Sequence, residues 1–316
     1  WHGSEATVLG VDYYKQADEI LKRYNITERN IQSNGVLLWR QEWIDYLKQS
    51  GITISISYDG RFQDEYRGRA KDVEKSIKAL NDNNITFGSI TVIGEHNVNA
   101  LTDLYDDMKN VGIKYWQFNT VFPSPRSDFI PGDMAKVYEE QVYQTFMKYA
   151  DDPDPVHVRN FEEFIPYMLG NGRFLCIFSG RCFDDFISIT PDGEVIICDR
   201  WFDHFVGNVD DFNSVEEIQN SEFFNEVRRT KQDRIANCEK LSCPFVDLCN
   251  GGCPLNALEG GDLTMPNKAD CYERAAFITG LFRGLQDLDM DNCKNRTLLS
   301  ILEREGFRQN KFIREY

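Results

Sequence analysis

Segments with apolar residues at every second position alternate with segments that have them at every third or fourth position along the first 150 residues. Short runs in which apolar and polar residues alternate predict strands, and longer runs with apolar residues every three or four positions predict amphipathic helices. Strands separated by helices of this length indicate right-handed βαβ units, a parallel sheet and an α/β fold, here a partial (β/α) barrel. The predicted strands are 31–35, 52–58, 87–93 and 115–118, and the predicted helices are 11–24, 39–49, 71–81, 101–110 and 132–149.

The second half has a different pattern. Residues 186–197 alternate on both sides of Pro191-Asp192-Gly193, which predicts a β-hairpin with a tight turn. The loop at 122–131 is aromatic and rich in proline. It could line a peptide groove or cap the barrel, and we expect it to cap the barrel.

Composition narrows the possible functions. The chain has 316 residues, of which 41% are hydrophobic, enough for a large core and for two domains. Its net charge of −16 argues against nucleic acid or an anionic membrane surface as the main partner. No apolar run is long enough to span a membrane, and residue 1 is Trp and not Met, so we expect a fragment or a processed product.

The nine cysteines are the strongest chemical signal, because none occurs before Cys176. A large chain without a signal peptide does not need a disulfide framework, so metal or cluster ligation in a reducing cytoplasm is the better interpretation. Eight thiolates match two [4Fe–4S] clusters; structural zinc stays open, although no CxxC pair is present. Gly251 and Gly252 would let backbone N–H groups approach a cluster, and Cys293 is expected to be a lone thiol. Phosphate loops, GxGxxG, GxSxG and HExxH motifs are absent.

The cysteine spacing resembles a known family. The pattern Cys182-x10-Gly193-x4-Cys198, Cys238-x4-Cys243-x5-Cys249-x3-Cys253 and Cys271 is similar to the SPASM signature of radical SAM enzymes. The family normally has two residues between the cysteines that match Cys238 and Cys243, which suggests a local insertion. Residues 1–5 (WHGSE), 32–35 (QSNG) and 57–60 (SYDG) resemble the family's WHGGEP, QTNG and SLDG, with Ser4 in place of a glycine.

The resemblance implies cofactors and site residues. Glu5 would bind the amino group of S-adenosylmethionine, Ser57 would hold its ribose or carboxylate end, and Arg69 would contact its carboxylate. Two auxiliary [4Fe–4S] clusters are implied, and their ligands would be Cys176, Cys182, Cys198 and Cys253 for the first and Cys238, Cys243, Cys249 and Cys271 for the second.

The family's CxxxCxxC motif, which holds the cluster that cleaves S-adenosylmethionine, does not occur in this sequence. The barrel accordingly lacks its first strand, and we expect the motif in a missing N-terminal segment of the parent, so that this fragment alone is inactive. A degenerate homologue that serves as a non-catalytic iron–sulfur scaffold or partner subunit is the alternative.

For the complete parent, the resemblance implies a maturase. A 5′-deoxyadenosyl radical would abstract hydrogen from a ribosomally made peptide, and an auxiliary cluster would accept an electron while Asp199 takes a proton. Asp199 could instead bond a turn amide or Arg200. Oxidation of Cys or Ser to formylglycine, as in anaerobic sulfatase-maturating enzymes, is the second reading. The implied partners are a peptide or protein substrate and an electron donor such as flavodoxin or ferredoxin, with no nucleic acid and no membrane.

The sequence divides into four predicted regions: the barrel at 1–150, a linker at 151–173, the SPASM domain with its hairpin and short helices at 174–275, and a helical tail at 276–316.

Overall fold

The computed structural model describes residues 1–122, 130–171, 176–178, 180–201 and 204–307. The chain forms two compact units, each assembled from separate stretches. We call residues 1–121, 140–162 and 280–316 the sheet unit, and residues 122–139 and 163–279 the cysteine unit. Because these units follow contacts and not continuous sequence, the four-region division stays a prediction.

The sheet unit contains a five-stranded parallel sheet in the order β1-β2-β3-β4-β5. Its strands are β1 (Asn30–Ser33), β2 (Thr53–Ser57), β3 (Phe87–Ile93), β4 (Tyr115–Thr120) and β5 (His157–Val158). Sequential order without reversal is the topology of consecutive βαβ units, so the α/β prediction is confirmed. β5 escaped prediction because two residues are too few to show a period.

Helices follow the strands along the chain. The α-helices up to β5 are α1 (Val11–Arg23), α2 (Gln41–Ser50), α3 (Gln63–Tyr66), α4 (Ala70–Asp82), α5 (Leu101–Asn110) and α6 (Ala135–Asp151). α2 ends at Gly51, whose φ of 68° supplies the left-handed C-cap that glycine allows without strain. The predicted helix at 132–149 begins instead with a 3₁₀ turn at Gly132–Met134.

The core of the sheet unit follows the alternation along its strands. In β3 every second residue is buried, from Phe87 to Ile93, and the intervening residues are partly exposed. Ile31 and Ile56 are fully buried, and Trp43 of α2 packs beside Tyr14 of α1 with ring centroids 5.4 Å apart. Apolar helix faces therefore cover the sheet, as the helical periodicity predicts.

The cysteine unit is built around a smaller antiparallel sheet in the order β6-β7-β8. Its strands are β6 (Ser188–Ile189), β7 (Glu194–Ile196) and β8 (Gly207–Asn208). The hairpin prediction is correct: the Gly193 N–H donates to the Thr190 carbonyl at 3.0 Å, closing the turn. Gly193 has φ of +80°, a conformation that favours glycine.

The remaining helices complete the chain. They are α7 (Arg159–Met168), α8 (Cys182–Asp185), α9 (Val215–Gln219), α10 (Glu222–Lys240), α11 (Val246–Cys249), α12 (Pro254–Glu259), α13 (Lys268–Asp287) and α14 (Arg296–Arg304). Among the helices of the described residues, none is long and apolar enough to cross a membrane.

A second hydrophobic core stabilises the cysteine unit. Strand β7, the α9 and α10 helices and the segment after Cys198 contribute to it, and Cys182, Cys198 and Cys253 pack against its edge. Its buried members are Phe183, Val195, Ile197, Trp201, Ile218, Phe224, Val227 and Leu255. Three cysteine thiols are thereby held on a firmly packed surface.

Candidate functional site

The carboxyl end of β1 brings Glu5 into a hydrogen-bond cluster. The Ser33 hydroxyl donates to Glu5 Oε1 at 2.8 Å, and the Asn34 N–H donates to Oε2 at 2.6 Å. The Thr7 N–H also donates to Oε1, at 2.9 Å. The Thr7 hydroxyl donates to Oε1 as well, so three donors contact Oε1 and one contacts Oε2, and together they orient the Glu5 carboxylate.

Ser57 lies at the end of the neighbouring strand β2. Its hydroxyl accepts a hydrogen bond from Gln32 Nε2 at 3.1 Å. Gln32 and Ser33 pair in register with Ser55 and Ile56, so Glu5 and Ser57 stand at the same sheet edge. Parallel α/β sheets bind ligands at this edge.

Arg69 belongs to a different part of the surface. It precedes α4 with a left-handed backbone, its side chain is 64% exposed, and its Nε lies 2.6 Å from Asp72 Oδ2. The structure therefore gives Arg69 an ion-pair partner on its own helix, and a role toward S-adenosylmethionine stays a prediction.

The eight cysteines that the sequence singles out all lie in the cysteine unit. All nine cysteines are free of disulfides. Six of the eight occur at element ends or turns; Cys238 lies in the last turns of α10 and Cys271 in the first turn of α13. The extra residues after Cys238 complete α10 and form a turn that the Cys243 N–H closes on the Cys238 carbonyl at 3.1 Å.

Four of these thiols form a first group. Burial raises the pKa of Cys182 to about 12, and repulsion from the thiolates of Cys253 and Cys176 adds to the shift. Burial also raises the pKa of Cys198, with a further contribution from Cys253. Cys182 thus interacts electrostatically with Cys176 and Cys253, and Cys198 with Cys253. We call these four residues group one, and their binding of one cluster stays a prediction.

The other four thiols form a second group. Burial raises the pKa of Cys271 to about 12, with repulsion from Cys249 and Cys238. Burial and the nearby Cys249 and Cys243 raise the pKa of Cys238 as well. We call Cys238, Cys243, Cys249 and Cys271 group two. Thiols that repel one another when ionised are stabilised by a bound cationic group, which favours binding of an iron–sulfur cluster to each group.

Asp199 contacts group one directly. Its Oδ1 accepts a hydrogen bond from Cys198 Sγ at 3.2 Å. Next to it, Trp201 is buried in the hydrophobic core, whereas Phe205 is 51% exposed. The aromatic residues that follow Asp199 in the sequence are expected to cover a cluster. One of them, Phe202, lies outside the described residues, as does most of the 122–131 loop.

Three arginines near the thiols were not predicted as site residues from the sequence. Arg200 Nη1 donates toward Cys253 Sγ at 3.9 Å, and Arg274 Nη1 donates toward Cys249 Sγ at 3.8 Å. Arg234 is fully buried in α10. Helical spacing could have found two of them, since Arg234 precedes Cys238 by one turn and Arg274 follows Cys271 by one turn.

Gly251 and Gly252 have a packing role, and the approach of their N–H groups to a cluster stays a prediction. Their φ angles are +74° and +78°, and the preceding Asn250 is also left-handed. A Cβ on Gly251 would lie 3.1 Å from Ile235 of α10, and one on Gly252 would lie 3.3 Å from Asp270 Oδ2 of α13. The pair therefore lets the segment between Cys249 and Cys253 turn sharply beside two helices.

The site geometry can be compared with known proteins. Residues 181–244 match the SPASM family, described as an iron-sulfur cluster-binding domain, and this stretch contains Cys182, Cys198, Cys238 and Cys243. The chain is 25% identical over 276 residues to the cysteine-type anaerobic sulfatase-maturating enzyme of Clostridium novyi, covering 81% of this chain and 72% of that protein. The chain is a relative of the radical SAM/SPASM maturases. It is also 27% identical over 238 residues to the antilisterial bacteriocin subtilosin biosynthesis protein AlbA of Bacillus subtilis, covering 72% of this chain and 50% of AlbA.

Solved structures share the radical SAM/SPASM fold. The structure of anSMEcpe with bound AdoMet aligns with a TM-score of 0.73 and 17% identity, covering 98% of this chain and 84% of that one. Streptococcus suis SuiB bound to precursor peptide SuiA aligns with a TM-score of 0.58 and 14% identity, covering 81% of this chain and 61% of SuiB. The fold prediction is thus confirmed.

The residues present fit the implied clusters. A cubane cluster binds one thiolate at each of four irons, so its ligands surround a space and do not converge on one ion. The thiols of each group supply the donor chemistry that such a cluster needs, and each group has an arginine N–H facing a sulfur. In the part of the chain that is described, no set of three or more His, Cys, Asp or Glu residues is arranged to hold a single metal ion.

Proposed function

We propose that the parent protein is a radical SAM/SPASM maturase that oxidises a ribosomally synthesised peptide or protein side chain. The observation that carries this proposal is a set of eight cysteines without disulfides in one compact unit, part of which matches an iron-sulfur cluster-binding domain. Group one would hold one auxiliary [4Fe–4S] cluster and group two the other. When bound, these clusters supply one-electron oxidation, which thiols and carboxylates cannot perform alone.

Glu5 and Ser57 are proposed to position S-adenosylmethionine. The Glu5 carboxylate, fixed by Ser33 and Asn34, would accept a hydrogen bond from the ammonium group. Ser57, oriented by Gln32, would contact the ribose or carboxylate end. Arg69 is a weaker candidate because releasing its guanidinium would break the ion pair with Asp72.

Asp199 is proposed as the base that receives the substrate proton. Its contact with Cys198 places the carboxylate at the edge of group one. A thiolate bound to iron has no proton to donate, so Asp199 would not accept this hydrogen bond in the loaded protein, and its carboxylate is proposed to face the substrate. We expect Asp199→Asn to load both clusters normally and to lose at least 100-fold in product formation. Product formation at the wild-type rate would remove Asp199 from this role.

The substrate is proposed to be a peptide precursor of a natural product. Similarity to AlbA and to SuiB favours this class, whereas similarity to a sulfatase-maturating enzyme keeps formylglycine formation as a second candidate. Incubation of the full-length protein with peptides encoded beside its gene, followed by mass spectrometry, distinguishes the two reactions by product mass.

A reducing cytoplasm is the proposed location, because cysteines without disulfides persist there. A flavodoxin or ferredoxin would supply electrons.

The decisive experiment is anaerobic reconstitution followed by iron, sulfide and zinc analysis. Two clusters require about eight iron and eight sulfide per chain. A group-one variant, Cys253→Ala, and a group-two variant, Cys249→Ala, should each retain about half of the iron. Binding of zinc without sulfide, or no metal at all, would overturn the proposal. Cys293→Ala is the matched control and should retain all the iron.

A further inference from the structure

A continuous chain of polar contacts joins the two thiol groups. Arg200 Nη1 faces Cys253 Sγ at 3.9 Å, and its Nη2 donates to Asn256 Oδ1 at 3.0 Å. Asn256 Nδ2 donates to Asp270 Oδ1 at 2.9 Å. Asp270 Oδ2 forms an ion pair with Arg274 Nε at 2.9 Å, and Arg274 Nη1 faces Cys249 Sγ at 3.8 Å.

The central residues of this series of polar contacts are buried. Asn256 is 1% exposed, Arg274 3% and Asp270 5%. Burying a guanidinium and a carboxylate is costly unless each is paired, and Asp270 can neutralise only one of the two arginines. The network of Arg200, Asn256, Asp270 and Arg274 therefore keeps one net positive charge for the sulfurs at its two ends.

N–H groups and positive charge beside cluster sulfurs stabilise the reduced, more negative state, and so raise its reduction potential. Pairing of each arginine with its thiolate would not by itself require Asn256, because Asn256 contacts neither sulfur in this network. Its side chain instead holds Arg200 through its carbonyl and Asp270 through its amide, so that one residue orients both arginines.

We propose that Arg200 and Arg274, held in place by Asn256 and Asp270, are positioning residues that raise the reduction potentials of both auxiliary clusters. This inference rests on the proposed function, since it requires clusters in both thiol groups. Arg200 acts mainly on the group-one cluster and Arg274 mainly on the group-two cluster. Asn256 acts on both, because it fixes the network at its centre.

The test is redox titration of the reconstituted chain, monitored by electron paramagnetic resonance of each cluster. In Arg200→Gln, the ratio of reduced to oxidised group-one cluster should fall about tenfold at fixed potential, equal to about 59 mV for a one-electron couple. Arg274→Gln should cause the same shift in the group-two cluster. Asn256→Ala should lower both potentials.

The control is Arg229→Gln, which removes an arginine that is 69% exposed and lies on α10 in the same unit. It should leave both potentials unchanged. Unchanged potentials in Arg200→Gln and Asn256→Ala, or an equal shift in Arg229→Gln, would overturn the inference. If Arg274→Gln does not fold, because Asp270 is left buried and unpaired, the other two variants decide.

Iron and sulfide analysis separates this inference from the proposed function. Wild-type protein without clusters would refute the function before any potential is measured. Fully loaded variants with wild-type potentials would refute only the role of the network.

Discussion

Ser4 has a backbone conformation that its side chain disfavours. Its φ is +46°, and Gly3 before it also has a positive φ, of 97°. An L-residue in the left-handed region loses roughly 1–2 kcal/mol relative to its preferred conformations. The segment nevertheless needs this bend, because it leads directly to the Glu5 carboxylate and its contacts on β1.

Replacing Ser4 with glycine should therefore stabilise the protein. We expect Ser4→Gly to raise the free energy of unfolding by about 0.5–1 kcal/mol, the strain relieved minus the larger entropy of an unfolded glycine. Urea denaturation followed by circular dichroism measures the change. Ser4→Ala keeps the Cβ and should show no gain, so equal stabilisation by both variants would contradict the explanation.

His96 should make stability depend on pH. Burial lowers the pKa of His96 below its usual 6.5, Arg67 adds to this, and Asp59 and Glu65 oppose it. The unfolded chain then binds more protons than the folded one, so stability is complete above pH 6.5 and falls as pH decreases toward the folded pKa. In His96→Phe, which can keep the ring contact with Tyr66, this decline should disappear.

The pH series is measured as urea midpoints between pH 5 and 8 for wild type and variant. His2→Asn, which changes an exposed histidine, is the matched control and should keep the wild-type decline. A His96→Phe variant with the same slope as wild type would show that another group is responsible.

Single residues differ in how far the sequence reveals them. Cysteines in a chain without a disulfide framework indicate metal chemistry by their number and spacing alone. Arg200 and Asn256 give no such signal, because arginine and asparagine are common on surfaces and their meeting depends on packing between distant segments. Arg274 lies one helical turn after Cys271, so its place beside a thiol follows from the spacing once Cys271 is known to be in a helix.

At the scale of elements, α6 and α13 approach closely within the sheet unit. A Cβ on Gly284 of α13 would collide with the ring of Phe146, which is fully buried on α6. Gly284→Ala should destabilise the protein by roughly 1–3 kcal/mol, less the gain in helix propensity. The double variant Gly284→Ala/Phe146→Leu should recover part of the loss in urea denaturation. Strictly additive losses would contradict direct contact.

Elements with a clear period were predicted within a few residues. Phe87–Ile93 and Leu101–Asn110 coincide with β3 and α5, because one buried face imposes its period on the sequence. β5 and β8 have two residues each and depend on neighbouring strands for their existence. Their pairing is a tertiary effect that no local pattern records.

At the scale of the whole molecule, metal removal should affect the two units unequally. Without clusters, buried Arg274 would lose the anionic sulfur that it faces, buried Arg234 would lose the attraction of nearby thiolates, and the folding energy from metal binding would be absent. We expect the melting temperature of the cysteine unit to fall by roughly 10 °C or more, while the transition of the sheet unit stays in place.

Anaerobic differential scanning calorimetry of loaded and iron-depleted protein checks this expectation. Re-addition of iron and sulfide should restore the transition of the cysteine unit, which controls for damage during depletion. Equal shifts of both transitions, or no shift at all, would contradict a structural role of the clusters confined to the cysteine unit.

The outer edge of the five-stranded sheet has a consequence for handling the protein. Beyond β1, the Trp1 carbonyl accepts a hydrogen bond from the Gln32 N–H at 2.9 Å, and the Trp1 ring packs on Tyr14 with centroids 5.1 Å apart. Trp1 thus shields part of a strand edge that could otherwise recruit another chain. Loss of the Trp1 ring, as in Trp1→Ala, would uncover more of this edge and favour self-association in concentrated samples.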